Sequence, residues 1–308
     1  MSQPPSAAFA PDHLVRIRID LAYDGGAYHG WAIQPGLESV QGAVEAGLEM
    51  VIRRPVRTVV AGRTDAGVHA AHQVIHCDLT PQEWTHVSRQ RPGVTSEDAL
   101  VRRLNGVLRS QEGSIVIRRA MVAPDGFDAR FSARGRSYRY RIADQLDSRD
   151  PLQRRFTHWH GTELSLSLMQ AEADSMLGLH DFLSFCKPRE GATTIRSLRR
   201  FDLHRDRSGV IHAELEADAF CHNMVRALVG SSMLVGEGKR PAGWMLERLS
   251  EQRRGSDVRL APARGLVLER IDYPESAEDL AAQALRARAR RTTTGSANSE
   301  ARPSSAIQ

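Results

Sequence analysis

The chain has 308 residues, 42 of them Lys or Arg and 37 Asp or Glu, for a net charge of +5. That length suffices for one large domain or two fused ones, with no need for stapling by disulfides or metal. Cys77, Cys186 and Cys221 are scattered and form no C-x-x-C pair, the N-terminus has no apolar leader, and no apolar run reaches membrane-spanning length. Secreted, disulfide-framed and integral-membrane classes are therefore excluded, and a reducing, cytoplasmic setting is expected. Neither a Walker A loop nor a G-x-G-x-x-G after a strand is present, so nucleotide-driven chemistry has no support. Lys187 and Lys239 are the only lysines, which leaves forty arginines. GC-rich coding would produce that bias, and so would selection for a guanidinium fork that grips phosphate and stacks on bases.

Residues 1–13 carry three prolines and read as a disordered lead-in. From Val15 to Leu21 apolar residues alternate with polar ones, the period of a half-buried strand. Ser39 is placed to cap a helix running to Arg54, with Val40, Val44, Leu48 and Val51 at helical spacing and Pro55 beyond. Strands are predicted at 56–61 and 72–79, either side of a glycine-flanked turn, Gly62-Arg63-Thr64-Asp65-Ala66-Gly67. The stretch 80–97 is polar, contains Pro81, Pro92 and Gly93, and reads as a loop. A helix follows at 98–108 and strands at 115–122 and 137–142. The later part repeats this grammar, with helices at 165–177 and 219–235 and strands at 195–205, 210–217 and 266–273. Interleaved helices and hairpin-joined strands predict an α+β fold of two related subdomains, roughly 14–142 and 143–274. Residues 275–308 are rich in Ala, Arg, Ser and Thr and read as a low-complexity tail, disordered or helical only around 277–290.

Three segments could carry chemistry. In the first, two glycines bracket Arg63 and Asp65, which suits a tight turn that approaches a ligand and equally suits an Arg–Asp surface turn. An Asp there could serve as nucleophile, general base or metal ligand. Nearby His69, His72, His76, Cys77 and Asp78 crowd one stretch, but their spacing matches no zinc signature and no metal is expected. The second segment, Ala129 to Ile142, holds Arg130, Arg134, Arg136, Arg139 and Arg141 with no acid, interleaved with Phe131, Tyr138 and Tyr140. Guanidinium groups among aromatics hold unstacked bases and phosphates, and they also occur as solvated charges over a tyrosine core. In the third, Phe220, Met224, Val225, Leu228, Val229 and Met233 make a helix so apolar that Arg226 needs either a carboxylate partner or a route to solvent.

Together these segments resemble the tRNA pseudouridine synthase A family. The resemblance is carried by Gly62-Arg-Thr-Asp-Ala-Gly-Val-His69, by Tyr23-Asp24-Gly25 with Tyr28-His29-Gly30-Trp31, by Ala129-Arg-Phe-Ser132 with Tyr138-Arg-Tyr140, by His180-Asp181-Phe182, and by Met224-Val225-Arg226. It implies the pseudouridine synthase fold, an extended, mostly antiparallel mixed sheet flanked by helices, in a cofactor-free, metal-free homodimer. It implies Asp65 as catalytic aspartate, as nucleophile or as the base that yields a glycal, Arg226 as its partner, Arg63 as the residue that helps displace the target nucleotide, and Tyr138 against the base. Arg130 and Arg139 are the expected phosphate contacts, and Leu266 or Leu268 lies under the base. The implied substrate is the tRNA anticodon arm, at uridines just 3′ of the anticodon. Three places depart from the family pattern: the long stretch 83–97, Cys221-His222-Asn223 where paired histidines are more usual, and the unmatched tail. A non-catalytic RNA-binding or chaperone module is the competing reading, and metal-dependent hydrolysis through the His69 to Asp78 cluster a third.

Overall fold

The computed structural model describes residues 14–89, 92–187 and 193–297. The expected disordered lead-in and the last eleven residues lie outside them. Ten strands form one mixed sheet: β1 (Val15–Tyr23), β2 (Val59–Val60), β3 (His69–Leu79), β4 (Ile115–Val122), β5 (Gly135–Ala143), β6 (His158–Trp159), β7 (Gly178–Asp181), β8 (Ile195–Arg205), β9 (Ile211–Ala217) and β10 (Leu266–Asp272). The helices are α1 (Val40–Ile52), α2 (Pro81–Val87), α3 (Ser96–Val107), α4 (Leu166–Ser175), α5 (Met224–Gly236), α6 (Trp244–Ser250) and α7 (Ala277–Ala297). The α+β class and the mostly antiparallel sheet agree with the sequence.

The main path of the sheet runs β4-β1-β3-β10-β5-β9-β8-β7, with β2 on β3 and β6 on β5. Every neighbouring pair is antiparallel except β3 with β10 and β5 with β6. The β3–β10 contact is short, pairing Val267 with His69 and Leu268 with Ala70. Two apolar clusters flank it. One gathers Ile17, Ile19 and Leu21 of β1, Val44 and Leu48 of α1 and Leu100 and Leu104 of α3; the other gathers Tyr140, Phe201, Leu215, Met224 and Leu228. Tyr138 packs against both. Within β10, Leu266 belongs to the second cluster and Leu268 to the first, so one strand pins both cores to the middle of the sheet.

Local chemistry sets the element ends. Ser39 caps α1 by accepting from the Gly42 N–H at 3.2 Å, and the helix closes on Arg53 in the left-handed region at φ 73°. Its inward face, Val40, Val44, Leu48 and Val51, is buried, and removing each such side chain from water is worth about 1.5–3 kcal/mol. The strand predicted at 56–61 shrinks to β2 because Glu45 accepts from the Thr58 backbone N–H at 2.9 Å, withdrawing it from the ladder, and from the Thr58 hydroxyl at 3.0 Å. Conversely, α2 stands where a loop was expected. Thr80 and Glu83 form a capping box, and Pro81 occupies the first turn, where a missing N–H costs nothing. β6, β7 and α6 are short elements that the periodicity did not reveal, and α7 occupies much of the expected tail.

Cys186 and Cys221, 35 residues apart, lie side by side with Cα atoms 5.8 Å apart, so two of the three scattered cysteines meet in space. Cys77 is free and buried in β3.

Candidate active site

The turn between β2 and β3 is built from behind. Trp31 N–H donates to the Thr64 carbonyl at 3.0 Å, Gly67 N–H to the Tyr28 carbonyl at 3.2 Å, and the Thr64 hydroxyl meets the buried Tyr23 hydroxyl at 2.8 Å. Gln73, fully buried, donates to the Gly62 carbonyl at 2.8 Å and to Tyr23 Oη at 3.2 Å. Gly30 sits at φ +96°, and a Cβ there would come within 2.9 Å of the Thr64 carbonyl oxygen and 3.1 Å of the Ala66 nitrogen. The segment 23–31 is thus a mould for the turn. Asp24 Oδ1 lies 2.9 Å from His69 Nδ1; that contact first, then a backbone bond from Gly26, holds the Asp24 carboxyl down at about 2 against the opposing effect of burial.

So clamped, the turn presents Asp65 to a cavity of about 390 Å³, within the range of ligand pockets. α5 supplies the opposite wall. Gly230 lets the chain at 259–261 pack on that helix, since a Cβ there would lie 2.7 Å from the Ala261 nitrogen. Ala261 in turn accepts from Arg226 Nε at 2.7 Å, which fixes the guanidinium with Nη1 3.8 Å from Asp65 Oδ2. His222 approaches the other carboxylate oxygen, its Nε2 3.3 Å from Asp65 Oδ1. The helix expected from 219 starts only at Met224, because Asn223 takes the left-handed conformation at φ 70°. That leaves Phe220, Cys221 and His222 as an irregular segment on the pocket wall, with the His222 carbonyl accepting from the Lys187 N–H at 2.9 Å.

Tyr138 forms the floor with Leu266, its ring edge-on to Phe220 at 5.2 Å between centroids. Burial above all, then the charge fields of Tyr23 and Asp65, pushes its phenol above the usual tyrosine range. Tyr138 therefore stays protonated near neutral pH and packs as a ring. Of the two leucines left open by the sequence, Leu266 lines the cavity and Leu268 does not. Arg63 and Arg130 lie exposed at the rim, the Arg130 guanidinium 5.3 Å from the Phe131 ring centroid.

Two other arginines are not where the sequence placed them. Arg139 points away from Tyr138 and lies outside the cavity; it pairs with Glu214 at 3.2 Å and Glu269 at 3.5 Å on the neighbouring strands. Its segment is acid-free in sequence but not in space. Arg136 lines the cavity, yet its guanidinium donates to the carbonyls of Asp218 at 2.7 Å, Ala61 at 2.9 Å and Arg130 at 3.0 Å. It ties the turn, the β5 approach and the end of β9 together. The histidines weighed as metal ligands are dispersed: His69 meets Asp24, His72 lies 3.6 Å from Asp20, and His76 Nδ1 accepts from the Ala129 N–H at 3.0 Å. Sequence reasoning missed His222 as a neighbour of Asp65, although its position just ahead of Met224-Val225-Arg226 was visible as a departure from the family pattern.

A sheet of this topology, with an aspartate turn facing a helix-borne arginine over a tyrosine floor, defines a class before it defines a member: residues 173–274 match the family model described as tRNA pseudouridine synthase. Curated relatives named tRNA pseudouridine synthase A extend the similarity over most of the chain. The protein from Leifsonia xyli subsp. xyli is 49% identical over 273 residues, 87% of this chain and 94% of that one. That from Streptomyces griseus subsp. griseus is 46% identical over 91% of this chain and 95% of its own, and that from Bifidobacterium longum 43% over 91% and 100%. The chain belongs to the tRNA pseudouridine synthase A family, whose members are isomerases.

Gly30→Ala should push Thr64 and Ala66 out of the mould. We expect a loss of stability of about 1–3 kcal/mol and a large fall in turnover. Gly36→Ala, whose Cβ would meet nothing within 4 Å at φ +72°, should bear only the backbone strain and keep its turnover. Thermal melts and turnover measured side by side distinguish the two.

Proposed function

We propose that this protein converts uridine to pseudouridine in the anticodon arm of tRNA, just 3′ of the anticodon, with Asp65 as the nucleophile. The carrying observation is the Asp65 carboxylate, held in a concave pocket with Arg226 Nη1 by one oxygen and His222 Nε2 by the other, above Tyr138. The reaction breaks N1–C1′, turns the uracil and forms C5–C1′; the proton lost from C5 is matched by one taken up at N1, so atoms and electrons balance without a redox partner. Asp65 attacks C1′ as the base departs, and the same carboxylate leaves when C5 bonds to C1′.

An enclosed site requires the nucleotide to leave its stack. The exposed Arg63 at the rim supports a role in bracing the vacated position, and Arg130 beside Phe131 supports contact with the adjoining backbone. Arg226, anchored by Ala261, orients Asp65 and balances its charge. Tyr138 and Leu266 give the uracil an apolar surface on which to turn. The homodimer and the cytoplasmic setting belong to this reading and rest on the family resemblance. Among the described residues no helix is long and apolar enough to cross a membrane.

Asp65→Asn preserves shape and removes the carboxylate. Tritium release from C5-labelled uridine in tRNA should fall by at least ~10⁴-fold, with tRNA binding retained; turnover at the normal rate would refute the assignment. Loss of turnover with binding intact would also set aside the non-catalytic RNA-binding module, for which Asp65 is dispensable.

A further inference from the structure

Helix α7 begins beyond the last residue of the family-model match, yet it is part of the site. Leu280 and Ala284 are 2% and 3% exposed, and Leu280 belongs to the first apolar cluster. The contact is close at Gly126, where a Cβ would fall 2.6 Å from the Ala281 Cβ. Arg288 fastens the helix further along, 2.7 Å from the Asp128 carboxylate and 5.1 Å from the Phe131 ring centroid. Gln283 Nε2 donates to the Ala133 carbonyl at 3.4 Å. This docking brings Gln283 and Ala287, one turn apart, into the wall of the cavity that holds Asp65, beside Arg130 and Phe131.

Three edges of α7 follow from the helical step of about 100° per residue. Leu280 and Ala284 form the buried edge and Gln283 and Ala287 the cavity edge. Arg286 comes next, outward from Gln283, and is exposed. Charge is polarised along the helix as well: Glu278 and Asp279 occupy its first turn, while Arg286 and Arg288 lie at the cavity end. With Arg288 committed to Asp128, Arg286 is, among the described side chains of α7, the cation next to the cavity edge.

We propose that α7 is a substrate-contacting wall, with Gln283 and Arg286 receiving the RNA backbone next to the extruded uridine. The proposal rests on the reading of the cavity as a nucleotide site. An amide edge followed by a guanidinium, continuous with the Arg130 and Phe131 rim, fits a phosphodiester strand passing out of the pocket. A cationic partner would be repelled by that edge.

The test uses the full chain and unmodified tRNA carrying a target uridine. Arg286→Glu and Arg286→Gln lie on an exposed position and should melt like the parent. Arg286→Glu should raise the dissociation constant and the KM for tRNA about tenfold, with kcat held within about twofold. Arg286→Gln should flatten the slope of log K against log salt by roughly one phosphate contact. Gln283→Glu, which sets a carboxylate on the cavity edge, should weaken binding in the same direction. Parental affinity, KM and salt slope in all three variants would overturn the proposal and leave α7 a packing element only. Binding is read without turnover, so an active Asp65→Asn variant would strike the catalytic reading without deciding this one.

Discussion

The two-residue parallel contact between β3 and β10 is the constraint on which the rest of the molecule depends. Along the sheet it joins β4, β1 and β3 to β10, β5, β9, β8 and β7, and the turn bearing Asp65 ends where it begins, at His69. A slip of one residue in a strand turns every side chain to the other face. Such a slip here would place Leu266 and Leu268 on the wrong side of both cores and move Asp65 relative to Arg226 and His222. The apolar clusters on either side therefore fix, through β10, the separation between Asp65 on one side and Arg226 and His222 on the other.

The abundant arginines divide by what surrounds them. On the sheet face opposite Tyr138 they are neutralised across and along strands: Arg139 by Glu214 and Glu269, Arg200 by Glu214 and Asp202, Arg270 by Glu216 and Asp272. Exposed pairs of this kind add little stability each, but they keep a broad charged face from repelling itself. Arg136 and Arg226 instead spend hydrogen bonds on backbone carbonyls, which sets loop geometry at the cavity. The rim arginines Arg63 and Arg130 are the ones directed at the cavity mouth. A count of +5 conveys none of this division.

Most of the regular elements and the chemistry-bearing turn were legible because their signals are local. Alternation marks β1, a serine cap and helical spacing mark α1, and two glycines around Arg63 and Asp65 mark the turn. The pairing of Arg226 with a carboxylate was also legible, since an apolar helix is a poor host for a lone cation. What failed was non-local or overridden. Arg139 looked unpaired because its acids arrive from β9 and β10. The strand at 56–61 lost a backbone donor to Glu45 on α1. The signal for α2, Thr80-Pro81-x-Glu83, was local and present, but polarity outweighed it. α7 carries a low-complexity composition, and only a face prepared by Gly126, Asp128 and Phe131 makes its alanines a docking surface. His222 could not be assigned to Asp65 without knowing that α5 begins late.

The position of β10 also has a consequence for synthesis. Among the described strands this one is made last, yet it lies at the centre of the sheet, between β3 and β5. While the chain is emerging, β1, β3 and β4 can assemble with α1 and α3, and β5, β8 and β9 can assemble around α5, as two separately cored bodies. Asp65 then belongs to one body, and Arg226 and His222 to the other. The nascent chain acquires a complete site only when its last strand is inserted, so a ribosome-bound or truncated product lacks the geometry to act on RNA.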